Sequence, residues 1–168
     1  MAFKPIRCGD GKRATPYLRK HLPDLDISRD VLAVDLGCGN LRNTNYLKEL
    51  GFKKISPFDK AGDFGFQVDL GKEKVPVFDR SVGLILCNYV LCFLNKPEKA
   101  HLASEIERMA APGCYLFVEL YPAKKAYKYT TDAVCNLFQG WEIIHKVKDR
   151  FIFRKIAWKR GIIEEKDA

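Results

Sequence analysis

The feature that most constrains the fold is the stretch at residues 34–43, which reads VDLGCGNLRN. An apolar run contains one acid, Asp35, and ends at Gly37 and Gly39, after which the pattern is typical of a helix. A parallel strand that ends in a glycine turn before a helix presents unpaired N–H groups and the positive end of the helix dipole at one place. This arrangement predicts a doubly wound α/β sheet with a cofactor site where the first strand ends.

The rest of the chain alternates short apolar runs with amphipathic stretches, as expected of a single α/β domain over residues 1–168. Residues 1–30 are predicted to form a short lid or docking segment. Glycine and proline positions, apolar periodicity and a capping box of Asn95 with Glu98 predict the elements. We expect strands at 31–36, 55–58, 66–70, 82–87 and 114–120, helices from about 41 to 51, from 95 to about 111 and over 131–138, and a hairpin of strands 141–147 and 151–158.

Two connections depart from a regular parallel sheet. Residues 60–65 are too few for a helical crossover, so the helix between the second and third strands is predicted to be reduced or missing. The turn at 148–150 predicts an antiparallel hairpin at the end of an otherwise mostly parallel sheet.

Composition excludes several other classes of protein. None of the six cysteines forms a C-x-x-C pair, and the three histidines have no candidate ligand nearby, so neither a disulfide framework nor a metal site is expected. We find no secretory signal and no apolar stretch long enough to span a membrane, which predicts a cytoplasmic chain without membrane partners. The sequence makes no prediction of oligomeric state.

The sequence differs at specific positions from two other glycine-rich binding motifs. A dinucleotide-binding turn needs a third glycine where this chain has Arg42, and a phosphate-binding P-loop needs a Gly-Lys-Ser/Thr sequence that is missing here. The carboxylate of Asp35 would repel a pyrophosphate but suits a ligand that carries an amino group and a sulfonium.

The segment DLGCGN resembles the first motif, D/E-x-G-x-G-x-G, of class I S-adenosylmethionine (SAM)-dependent methyltransferases, with Leu41 in place of the last glycine. The segments DLGCGNLRNTNYL, VDL and FDRSVGLILCNYVLCFL are similar in order and spacing to the small tellurite-resistance-type methyltransferases. The resemblance covers about residues 31–120. It implies a Rossmann-like methyltransferase fold, SAM as the cofactor and a small-molecule acceptor.

The resemblance also implies roles for individual residues. Asn88 would offer its backbone to the methionyl ammonium, and Tyr89 would face the transferred methyl group. By position alone, Asn88 and Tyr89 are the candidates for the transfer site. The implied cofactor-binding residues are Asp35, Gly37, Cys38 and Gly39 at the methionine end, Asp59 at the ribose, Asp69 with Leu70 at the adenine, and Asn88.

The sequence is also compatible with two other functions. The net charge of +8 comes mainly from residues 1–30 and 121–160, so a nucleic-acid substrate could be gripped by basic residues in both flanks. The candidates are Lys12, Arg13, Lys124, Lys125 and Lys128. The other reading is a catalytically degenerate partner subunit, which Leu41 and the shortened connection at residues 60–65 suggest.

Overall fold

A computed structural model describes residues 13–121 and 131–157. Seven strands form one sheet in the order β3-β2-β1-β4-β5-β7-β6. The strands are β1 (Leu32–Leu36), β2 (Lys54–Asp59), β3 (Phe66–Gln67), β4 (Val82–Asn88), β5 (Ala110–Glu119), β6 (Trp141–Val147) and β7 (Arg150–Lys155). The helices are α1 (Pro16–His21), α2 (Arg42–Glu49), α3 (Lys96–Met109) and α4 (Thr131–Leu137).

The pairing confirms the predicted fold class. The pairs β1–β2, β1–β4, β2–β3 and β4–β5 are parallel, whereas β7 runs antiparallel to both β5 and β6. No helix lies between β2 and β3, so this crossover is a loop as predicted. The sheet is therefore doubly wound and mostly parallel, with an antiparallel hairpin formed by the last two strands.

Local capping explains where two helices begin. Asn95 and Glu98 form a complete capping box at the start of α3, as the sequence predicts. The hydroxyl of Thr15 accepts a hydrogen bond from the Leu18 N–H at the start of α1, where Pro16 occupies the first turn. Leu18 is fully buried, so α1 packs into the core beside the sheet.

Each face of the sheet has its own apolar core, because successive side chains of a strand point to opposite faces. Val34 and Leu36 pack on one face with side chains of α3. Ala33, Leu84 and Phe117 pack on the other face with side chains of α1 and α2. The same alternation places the last residues of several strands on the α1/α2 face, where the site described below is found.

Three predicted strand boundaries were wrong. Strand β3 was expected over 66–70 but spans two residues, because Lys72 N and Glu73 N donate to the carbonyl oxygen of Asp69 and turn the chain. Strand β5 begins at Ala110 rather than 114, because a register shift lets Pro112 and Gly113 lie inside the strand. Strand β7 ends at Lys155, and the predicted end at 158 lies outside the described residues.

Candidate functional site

The turn after β1 depends on left-handed backbone conformations that glycine adopts without steric cost. Gly37 has a φ of +70° and Gly39 a φ of +51°. A Cβ atom on Gly37 would lie 2.4 Å from Cγ2 of Val90, whereas one on Gly39 would meet no described atom within 4 Å. Position 37 therefore needs glycine for packing, and the space beside Gly39 is open to a ligand.

Leu41, which replaces the last glycine of the resembling motif, adopts a backbone conformation that favours glycine. Its φ of 68° and ψ of 17° are left-handed, and its N–H donates to the Cys38 carbonyl oxygen over 2.9 Å. Such a conformation costs a non-glycine residue roughly 1 kcal/mol. The leucine thus keeps the turn closed at the entry to α2, at a modest energetic cost.

The end of β2 holds this turn in place. The carbonyl oxygen of Phe58 accepts hydrogen bonds from Gly37 N at 2.8 Å and Cys38 N at 3.0 Å. Oδ2 of Asp59 accepts from Gly39 N at 2.9 Å, and its Oδ1 accepts from Ala61 N at 3.0 Å. Asp59 therefore lies beside the glycine turn.

Asp35 is almost fully buried on the α1/α2 face. Its Oδ2 accepts a hydrogen bond of 2.6 Å from the Thr44 hydroxyl on α2. Burial raises the pKa of Asp35 from 3.8 to about 6, since the bond from Thr44 offsets only part of the lost hydration. The carboxylate thus fixes α2 against the end of β1.

The sequence analysis expects Asp69 and Leu70 at the end of the third strand. The structure places both residues after β3, in the turn that follows it. Val68 N donates to the Asp59 carbonyl oxygen at 3.0 Å and so brings this turn alongside β2. Oδ1 of Asp69 accepts from Gly71 N at 3.1 Å, and its Oδ2 lies 3.4 Å from Nζ of Lys60. Both residues still lie at the edge of the sheet that carries Asp59.

Asn88 and Tyr89 lie where β4 ends, at the same edge. Asn88 is buried, and neither atom of its side-chain amide has a hydrogen-bond partner among the described residues. Tyr89 has a left-handed φ of 61°, and its N–H donates to the Glu119 carbonyl oxygen at 2.7 Å. Its ring centroid lies 4.9 Å from that of Tyr121 and 5.9 Å from Cζ of Arg42.

Glu119, at the end of β5, was missed by the sequence analysis. It is 1% exposed and pairs directly with Asn88 in the β4–β5 register. Nε of Arg150 lies 3.5 Å from its Oε1, yet neither carboxylate oxygen has a hydrogen-bond partner among the described residues. The signal was present in the run CYLFVEL, where one acid ends an otherwise apolar strand.

The basic residues predicted to grip nucleic acid are mostly not described. Arg13 is exposed. The predicted Lys12, Lys124, Lys125 and Lys128 lie outside the described residues. Within residues 13–121 and 131–157, no group of three or more His, Cys, Asp and Glu side chains could hold a metal ion, and no helix is long and apolar enough to cross a membrane.

Comparison with solved structures finds the same fold in SAM-dependent methyltransferases. One such enzyme from Aquifex aeolicus is 15% identical with a TM-score of 0.63, and the match covers 82% of this chain and 89% of that chain. One from Mesorhizobium loti is 16% identical with a TM-score of 0.63, covering 83% and 96%. No protein-family model and no curated protein matches the chain.

A third solved structure, from Burkholderia thailandensis, is 1,6-didemethyltoxoflavin-N1-methyltransferase with bound 1,6-didemethyltoxoflavin and S-adenosylhomocysteine. It is 13% identical with a TM-score of 0.64, and the match covers 83% of this chain and 75% of that chain. At these identities the likeness concerns the fold, which is the class I methyltransferase fold.

Proposed function

We propose that the protein is a SAM-dependent methyltransferase that acts on a small molecule, of the tellurite-resistance type that its motifs resemble. The observation that carries the proposal is the contact between the glycine turn and the end of β2. Gly39 N donates to Asp59 Oδ2 at 2.9 Å, and a Cβ atom on Gly39 would meet no atom of the described residues within 4 Å. This places a carboxylate and a closely approachable backbone at one point, in a fold that SAM-dependent methyltransferases share.

The donors and acceptors present fit this cofactor. A carboxylate can accept about four hydrogen bonds, so Asp59 keeps free capacity for two ribose hydroxyls after accepting from Gly39 and Ala61. Val68, the residue before Asp69, donates its N–H to the Asp59 carbonyl oxygen, and Asp69 is the candidate contact for the adenine. The residues proposed to hold the cofactor are Asp35, Gly37, Cys38, Gly39, Asp59, Asp69, Leu70 and Asn88.

When bound, SAM supplies a reactive methyl group, so the chain mainly has to align the acceptor with it. Holding two reactants at near-attack distance supplies much of the acceleration of a displacement reaction. We propose that Asn88 and Tyr89 border the transfer site. The strained φ of Tyr89 supports this role, since such conformations persist where the surrounding structure fixes a functional side chain.

A small acceptor is supported by the shape of the site's aromatic border. Tyr89, Tyr121 and Phe93 form a compact group at the ends of β4 and β5, with ring centroids 4.9 Å and 5.7 Å apart. A nucleic-acid substrate stays a prediction, since four of its five basic residues are not described. Binding to nucleic acid that weakens steeply as salt rises would favour it.

Two further parts of the proposal concern activity and location. Leu41 keeps the turn closed, which supports a working cofactor site over a degenerate partner subunit. We place the protein in the cytoplasm because all five described cysteines are free thiols and four of them are buried, as expected in a reducing compartment.

Calorimetric titration with SAM and S-adenosylhomocysteine tests the proposal. We expect micromolar binding by the wild type and at least ten-fold weaker binding by Asp59→Ala. Asp30→Ala is the matched control, because Asp30 is an exposed carboxylate next to the start of β1, at the opposite edge of the sheet. A wild type that binds neither compound, or equal weakening in both variants, would remove the proposed function.

A further inference from the structure

Two buried side chains beside the proposed transfer site have polar atoms without hydrogen-bond partners among the described residues. Asn88 is 7% exposed, and neither Nδ2 nor Oδ1 of its side-chain amide has a hydrogen bond to a described residue. Glu119 is 1% exposed, and the same is true of both its carboxylate oxygens. A buried polar group without a partner costs about 1–3 kcal/mol, and native proteins contain few of them. Four such atoms at one place therefore need an explanation.

The two side chains lie next to each other on one face of the sheet. Asn88 and Glu119 are direct partners in the parallel β4–β5 register, and alternation places both on the α1/α2 face with Leu86 and Phe117. Together they offer one N–H donor group and three acceptor oxygens. They lie at the carboxyl ends of their strands, where ligands bind in open α/β sheets.

The charge of Glu119 is already balanced within the protein. Nε of Arg150 lies 3.5 Å from Oε1, close enough for charge compensation but without the geometry of a hydrogen bond. Burial raises the pKa of Glu119, and the side chains of Thr15 and Arg150, which lie within reach of the carboxylate, lower it to a smaller extent. Neither contact has the full geometry of a hydrogen bond. A ligand that pairs with this carboxylate therefore needs N–H donors but no positive charge.

The group of aromatic rings next to this pair suits a flat ligand. Tyr89 follows Asn88 directly, and its N–H donates to the carbonyl oxygen of Glu119. The rings of Tyr89 and Tyr121 are tilted by 37°, and that of Phe93 meets Tyr121 edge-on at 85° and is 47% exposed. A planar ring can stack against such a surface and direct its polar edge toward the strand ends.

We infer that Asn88 and Glu119 recognise the methyl acceptor, and that this acceptor is a neutral, planar nitrogen heterocycle with N–H groups next to a carbonyl. The inference rests on the proposed function. The Asn88 amide pairs with an N–H and a neighbouring C=O, in the way asparagine pairs with the edge of a base, and the carboxylate of Glu119 accepts a second N–H.

Entry of the acceptor requires a movement at the start of α1. Thr15 is 2% exposed, lies beside the Glu119 carboxylate, and its N–H donates to Oδ1 of Asn43 at 3.2 Å. The Thr15 hydroxyl also accepts from Leu18 N. An acceptor that reaches Glu119 must displace Thr15, which would loosen the capped turn and expose the Leu18 amide to exchange.

Binding of small probes to the complex with S-adenosylhomocysteine tests the inference by NMR. The probes are hypoxanthine and uracil, with 1,3-dimethyluracil as the matched compound that lacks N–H groups. We expect hypoxanthine and uracil to bind and to shift the side-chain amide signal of Asn88. We expect 1,3-dimethyluracil to bind at least ten-fold more weakly, and hypoxanthine to speed hydrogen exchange at Leu18.

Variants separate recognition of the acceptor from binding of the cofactor. Glu119→Gln is expected to weaken hypoxanthine binding at least ten-fold and to change the affinity for S-adenosylhomocysteine less than two-fold. Glu142→Gln, at an exposed position on β6, is the control and should change neither. If Glu119→Gln does not fold by circular dichroism, the comparison of uracil with its dimethyl derivative on the wild type decides.

Failure of the inference and failure of the proposed function give different results in these experiments. If neither N–H probe binds the complex, or if 1,3-dimethyluracil binds as well as uracil, the inference is overturned while the proposed function stands. An unchanged hypoxanthine affinity in folded Glu119→Gln overturns it as well. If the wild type does not bind S-adenosylhomocysteine at all, the proposed function fails, and that result is separate from the probe data.

Discussion

The two halves of the site differ in how their buried polar groups are satisfied. At the ends of β1 and β2, Asp35 and Asp59 each accept hydrogen bonds of 2.6–3.0 Å from the protein itself. At the ends of β4 and β5, Asn88 and Glu119 are at least as deeply buried as Asp59, yet their side-chain polar atoms lack partners among the described residues. The carboxylates of the first half have hydrogen-bond donors within the protein, and the side chains of the second half have none among the described residues.

This difference indicates two kinds of binding. When the polar groups of a site are already ordered, little further conformational entropy is lost as a ligand binds. Such a site suits a cofactor with a fixed shape. A site with unpaired buried groups is destabilised until a ligand supplies partners, and it rejects ligands that cannot supply them. We expect the β1–β2 half to determine the affinity for the cofactor, and the β4–β5 half to determine the choice of acceptor.

The largest expected effect is that of Gly37→Ala on the preformed half. The new methyl group would lie 2.4 Å from Val90 at a φ of +70°, which combines overpacking with backbone strain. We expect a loss of about 3 kcal/mol in the free energy of unfolding.

Gly39→Ala, at a φ of +51° where the new methyl group meets no described atom, should lower the free energy of unfolding by only about 1 kcal/mol but weaken S-adenosylhomocysteine binding. Urea denaturation and calorimetry would show this, and equal losses of stability would contradict it.

A smaller effect is expected in the pH dependence of protein stability, which the ionisation of Asp35 changes. Its folded pKa of about 6 lies above its ordinary value of 3.8, so the folded state binds more protons than the unfolded state between these values. The stability that this group contributes is therefore present below pH 4 and is lost as pH rises through 6.

We expect Asp35→Asn to gain stability relative to the wild type as pH rises from 4 to 7, by on the order of 2 kcal/mol. Urea denaturation of both proteins across this range measures the difference, and other titrating groups largely cancel in the comparison. A difference that stays constant with pH would show that the carboxylate is not desolvated in the folded protein.

The smallest effect compares two buried asparagines. Asn43 accepts a hydrogen bond from Thr15 N at 3.2 Å, whereas the side-chain amide of Asn88 has no described partner. Replacing an unpartnered amide with an apolar group of similar shape is neutral or stabilising, but leaving a buried N–H unsatisfied costs about 1–2 kcal/mol. Asn88→Leu should therefore keep or raise the midpoint of thermal unfolding, and Asn43→Leu should lower it. The opposite order would mean that Asn88 already has a partner within the chain.

Local signals in the sequence predicted the parts of the molecule that depend on a few neighbouring residues. The glycine turn, the capping box at Asn95 and the tight turn before β7 each have a short chemical signature, and the structure contains all three. The resemblance implied Asp59 as a site residue, and Asp59 lies near the glycine turn because the carboxyl ends of parallel strands meet at one edge of the sheet.

The parts that were missed depend on contacts between distant residues. Strand β5 continues through Pro112 and Gly113 because the register against β4 shifts there, which a local reading of Pro-Gly as a breaker cannot foresee. Glu119 was not identified, because two of the residues that interact with its carboxylate are distant in sequence. Arg150 is about thirty positions away, and Thr15 is about a hundred. Sequence spacing gave no indication that these residues meet.

The position of β7 has a consequence for how the protein is made. This strand is the last of the seven in sequence, yet it lies inside the sheet between β5 and β6. As the chain leaves the ribosome, the free edge of β5 must wait until residues 150–155 have been synthesised, about 2–7 seconds later at 5–20 residues per second. During this interval an apolar strand edge is open to wrong pairing, so we expect newly made chains to depend on chaperones until their last strand is available.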